Sequence, residues 1–89
     1  MQISFTGPTF FSDADEHHFF AWLYSLPGYV SVVGAGSTIQ LTIADPVERE
    51  SVRELLSLFR RWRINVSALL PLKSSENADL ALWVEHASN

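Results

Sequence analysis

A chain of 89 residues is one domain, residues 1–89, with room for a single core and little for a deep enclosed active site. An apolar fraction of 47% with 18% charged residues marks a globular chain, and the absence of cysteine excludes disulfides, zinc–thiolate sites and thiol nucleophiles. A net charge of -4, with one lysine and five arginines, disfavours direct nucleic-acid binding; it is what keeps a small protein soluble, and it also suits a basic protein partner.

The opening MQISFTG has neither the basic nor the apolar segment of a secretory signal, and no run approaches the ~20 apolar residues of a membrane span. The expectation is a cytoplasmic protein with no membrane contact. Residues 2–6 alternate, with Ile3 and Phe5 on one face and Gln2, Ser4 and Thr6 on the other, which predicts a half-buried strand ended by Gly7-Pro8. Ser12 caps a first helix over about Asp13–Leu26, with Asp15 as its capping partner. The apolar stripe of that helix is Phe19, Trp22, Leu23 and Leu26, flanked by Phe20, and Pro27-Gly28 stops it. Two strands follow, over 29–34 and 38–44, joined around Gly34-Ala35-Gly36-Ser37 as a hairpin. Ile39, Leu41 and Ile43 face inward in the second. The two glycines do not form a dinucleotide fingerprint, because Ile39 stands where a further glycine or alanine is needed.

Asp45-Pro46-Val47-Glu48 predicts the start of a second helix, with Asp45 as cap, Pro46 in the first turn and Glu48 closing a capping box. Val52, Leu55, Leu56, Phe59 and Trp62 form its stripe, and Arg60, Arg61 and Arg63 end it where the helix dipole favours cations. Residues 65–72 fit either a fourth strand or a turn capped by Asn65 and stopped by Pro71. Residues 73–89 are a tail of unsettled structure. In it, 78–87 place Leu80, Trp83, Val84 and Ala87 on one helical face, and alternation also fits. The order β-α-β-β-α-(β) predicts an α/β (α+β) two-layer sandwich, ferredoxin-like or a three-stranded variant, with both helices on one face of the sheet. The other face then shows Gln2, Ser4, Thr6, Ser31, Thr38, Gln40 and Thr42.

The pair His17-His18 beside Asp13, Asp15 and Glu16 invites a metal or acid–base reading. Adjacent helical residues diverge by about 100°, and two ligands are too few for a structural zinc site. No nucleophile elbow is present. The expectation is therefore no catalytic residue, no metal and no cofactor. The carboxylates Asp13, Asp15, Glu16 and Asp45, Glu48, Glu50 sit in the first turns of the two helices, where anions are favoured locally. With strands 1 and 3 as parallel neighbours, both helix N-termini fall at one end of the domain. The six carboxylates then gather there as a docking site for a basic protein, with the arginines at the far end. Tyr24 and Trp83 are candidate aromatic anchors of such an interface.

The stretches GPTFFSDADEHHFFAWLYSLP (7–27) and PVERESVRELLSLFRRWRI (46–64), with the glycine-bearing hairpin between them, resemble small bacterial immunity proteins. Those proteins accompany polymorphic toxins, including contact-dependent growth-inhibition systems. The resemblance spans about residues 3–70 and rests on apolar spacing with Gly7-Pro8, Phe10-Phe11, Asp15-Glu16 and Arg53-Glu54-Leu55. It implies a cytoplasmic protein that catalyses nothing and neutralises a cognate toxin domain, such as a nuclease, by steric and electrostatic blocking. It carries over no contact residue. The alternative is a ferredoxin-like regulatory or self-associating module that uses its exposed sheet or sheet edge.

Overall fold

The computed structural model describes residues 1–83. Three strands, β1 (Gln2–Thr6), β2 (Tyr29–Ala35) and β3 (Thr38–Ile43), form one sheet in the order β1-β3-β2. Two α-helices, α1 (Asp13–Tyr24) and α2 (Arg49–Arg61), cover one face of it, and 3-10 segments follow at Val66–Leu72 and Ala81–Trp83. The three-stranded variant of the α+β sandwich is thus the one formed by the described residues.

Both ladders are antiparallel, with Ile3 opposite Leu41 in one and Val32 opposite Leu41 in the other. The expectation of parallel β1 and β3 is corrected here. The hairpin reverses β3 relative to β2, and the α1 crossover returns β2 parallel to β1. β3 therefore enters between two parallel strands and opposes both. Gly36 takes φ +62° in the hairpin turn, the positive φ that a II′ turn assigns to its first central residue.

Alternation sets which face is which. Ile3, Phe5, Ile39, Leu41 and Ile43 are buried under the helices. The opposite face carries Gln2, Ser4 and Thr6, then Thr38, Gln40 and Thr42, then Ser31, Val33 and Ala35 in register. That face holds no charged side chain, as its sequence pattern predicts. From above, α2 contributes Val52, Leu55, Leu56, Leu58 and Phe59, all fully buried, and α1 contributes Phe19 and Leu23. Phe59 packs on Phe5 with ring centroids 4.7 Å apart. Each such side chain contributes on the order of 1.5–3 kcal/mol by burial.

Three local expectations change. α2 starts at Arg49, and Glu48 at its cap position makes no side-chain capping bond. The Asp45 carboxylate instead accepts a hydrogen bond from the Met1 ammonium at 3.0 Å, so the Asp-Pro-Val-Glu run is a turn ahead of the helix. α1 ends at Tyr24, two residues early, where the Ser25 hydroxyl donates to the Trp22 carbonyl. Residues 66–72 are 3-10 helix, with the Asn65 side chain accepting from Ser67 N, and Pro71 lies inside the segment instead of stopping it. Val66, Leu69 and Leu72 bury into the core from there. Of the face expected over 78–87, Leu80 is half-buried and Trp83 is buried, while Val84 and Ala87 lie outside the described residues.

Candidate functional site

Strand order decides where the helix ends fall. α1 leaves β1 and α2 leaves β3, which run in opposite directions, so the two helices are antiparallel. The contacts follow that geometry. Asp15, in the first turn of α1, accepts from the indole N–H of Trp62 just past the end of α2, at 3.1 Å. Phe19 and Trp22 meet the Trp62 ring edge-on at 5.2 and 5.8 Å. Trp22, further along α1, donates to Glu54 near the middle of α2, at 2.9 Å.

The six carboxylates consequently do not gather at one end. Asp13, Asp15 and Glu16 lie at the end where α2 finishes in Arg60, Arg61 and Arg63. Asp45, Glu48 and Glu50 lie at the opposite end, where α2 begins. Glu50 is 3.8 Å from Arg53, and Asp45 pairs with the chain N-terminus. Asp15 is structural at both oxygens: Oδ1 takes the Trp62 N–H and Oδ2 takes the Phe11 N–H at 3.1 Å, while its own N–H donates to the Ser12 hydroxyl. Asp13 and Glu16 are exposed, and their side chains form no ion pair or hydrogen bond among the described residues. Tyr24 is 57% exposed, its ring edge-on to Tyr29 at 5.4 Å. Trp83 is corrected from anchor to core. It is 8% exposed, donates to the Asn77 carbonyl at 2.9 Å, and carries Lys73 over its ring at 5.3 Å. Asn77, also buried, ties that loop by donating to the Leu72 carbonyl and accepting from Ser74 N.

At the start of α2 lies a bidentate pair that sequence spacing did not suggest. Arg49 donates to Asp79 at 2.7 and 3.2 Å and to the Glu76 carbonyl at 2.8 Å. The hydrogen bond from Arg49 holds the Asp79 carboxyl below its ordinary pKa, and the same bond raises that of Arg49.

Between the start of α1 and the end of α2 the surface opens into a cleft of about 550 Å³, lined by Thr9, Phe11, Asp15, His18, Arg61, Trp62 and Arg63. Arg61 and Arg63 form no ion pair among the described residues. Phe11 stands at the cleft with 89% of its surface exposed. Arg63 holds φ +59°, the left-handed region. Its N–H donates to the Arg60 carbonyl and that of Ile64 donates to the Phe59 carbonyl at 2.7 Å. Those two bonds make the C-terminal motif in which glycine usually occupies the position held here by arginine. Of the two histidines, His18 lines the cleft and His17 does not; their rings meet edge-on at 6.1 Å. Among the described residues no three histidine or carboxylate side chains are grouped to hold a metal ion. No helix there is long and apolar enough to cross a membrane.

Compared with protein-family models, curated proteins and solved structures, the chain matches none of them. The cleft escaped the sequence reading because its parts were assigned separately, the arginines to a helix dipole and Trp62 to a core stripe. The one signal that could have joined them is strand order, since an all-antiparallel sheet turns the helices head to tail.

Proposed function

We propose that this chain is a cytoplasmic protein-binding domain that works without catalysis and neutralises a cognate basic toxin domain by covering its active surface, as immunity proteins do. The observation that supports this reading is the outer stripe of α1. Asp13, Glu16, Phe20 and Tyr24 fall at 3,4,4 spacing along one side of the helix, with Asp13, Glu16 and Tyr24 exposed and Phe20 half-buried against Phe10 and Phe19. The stripe is acidic and unpaired at one end and aromatic at the other. Carboxylates of that kind steer a basic partner and aromatic side chains anchor it. Asp45, Glu48 and Glu50 fall outside this surface.

The test is co-expression with the product of the neighbouring reading frame, followed by calorimetry at several salt concentrations. D13K/E16K lowers affinity at least tenfold and flattens the salt dependence, whereas E48K/E50K changes affinity less than twofold. Equal effects of the two pairs would remove the α1 stripe as the contact surface. A second reading, a self-associating module, is favoured by the uncharged outer sheet face, with Val33 exposed on edge strand β2. Light scattering on the purified protein separates the two: a stable dimer without partner supports the second and counts against the first.

A further inference from the structure

The cleft between the helix ends is built of chemistry that the proposed toxin contact does not use. Two guanidiniums, Arg61 and Arg63, face it with no carboxylate of the described residues paired to either. The one carboxylate that lines it, Asp15, has both oxygens committed, to the Trp62 indole and the Phe11 amide. Its charge still counts, so the formal sum over these three side chains is one positive unit. An aromatic face, Phe11, is left almost wholly in solvent beside them. A volume of about 550 Å³ is that of a small-molecule site.

The conformation of Arg63 adds to this. A glycine would occupy its left-handed position without the steric cost that any other L-residue meets there. The chain places a guanidinium at that position, and the guanidinium lines the cleft. Planar guanidiniums bind phosphate oxygens in pairs, and two of them match a dianion better than a monoanion. An exposed ring next to them offers a stacking surface to a flat group carried on the same molecule.

We propose that the cleft formed by Phe11, His18, Arg61, Trp62 and Arg63 binds a small phosphomonoester carrying an aromatic ring, the phosphate on Arg61 and Arg63 and the ring against Phe11. The site is independent of the toxin-binding reading, because Asp13, Glu16 and Tyr24 do not line it.

Phenyl phosphate and inorganic phosphate serve as probes, titrated by calorimetry into the full chain at low salt, with amide and indole N–H shifts recorded by NMR. Phenyl phosphate binds in saturable fashion, at least tenfold tighter than inorganic phosphate, and shifts the Trp62 indole N–H. R61A and R63G each weaken it tenfold or more, and F11A brings it to the level of inorganic phosphate. R63G removes the side chain at a position where glycine is favoured, so its loss of binding cannot come from unfolding. Absence of saturable binding at millimolar phenyl phosphate, binding indifferent to R61A and R63G, or equal affinity for the two probes would each overturn the proposal.

Discussion

Replacing Arg63 by glycine should make the protein more stable. Arg63 sits at φ +59° just beyond Trp62, the C-cap of α2, where the 2.7 Å bond from Ile64 N to the Phe59 carbonyl closes the helix. An L-residue in that region costs about 1–2 kcal/mol, which glycine escapes. Glycine also loosens the unfolded chain, which gives back about 0.4–1 kcal/mol. The difference favours R63G by roughly 0.5–1 kcal/mol. For a domain of this size that is a rise in melting temperature of about 2–8 °C. R63A is the necessary control, because alanine removes the guanidinium and keeps the steric penalty, so it should melt within a degree or two of the parent. Urea titration with linear extrapolation, alongside thermal melts, measures all three proteins. If R63G were no more stable than R63A, the left-handed position would carry no penalty and the argument from conformation would fail.

Other perturbations test the packing and the paired groups. L56A removes a fully buried side chain under the sheet and should cost about 2–5 kcal/mol, a large part of a stability on the order of 5–10 kcal/mol, read by urea titration. D15A strands the half-buried Trp62 indole N–H and should cost about 1–3 kcal/mol, with the Trp62 indole resonance moving toward a solvent-exposed position in NMR spectra. The Arg49–Asp79 bridge is stabilising above the ordinary aspartate pKa and fades as pH falls through the lowered value of Asp79 in the folded chain. A carboxyl NMR titration should show the Asp79 midpoint moving up in R49Q; an unmoved midpoint would show that the bridge is not populated in solution.

Where the sequence reading succeeded, a local pattern carried the information. Ile39, Leu41 and Ile43 alternate and are buried, Ser12 caps α1 as its side chain predicts, and Val52, Leu55, Leu56 and Phe59 of the α2 stripe are buried in the core. What it missed was set by partners far along the chain. Asp45 has every local mark of a helix cap, yet its carboxylate is taken by an ammonium 44 residues away. A buried tryptophan and an interface tryptophan look alike in sequence; the Asn77 carbonyl and the Lys73 ammonium fix Trp83 inside. The grouping of carboxylates failed for a third reason, because strand direction is not written in any single segment. One reversed strand turns α2 around and moves Asp45, Glu48 and Glu50 to the opposite end from Asp13.

The meeting of Trp22 and Trp62 has an optical consequence. Their ring centroids lie 5.8 Å apart with the planes inclined at 71°, close enough for their excitations to couple. Two such chromophores share their excitation and split it into a pair of circular-dichroism bands of opposite sign. One ring belongs to α1 and the other to the end of α2, so the couplet exists only while the helices touch. During unfolding it should vanish when the helices part, even if each still holds its own turns. The junction that shapes the cleft thus carries its own reporter of helix–helix contact, read without any added label.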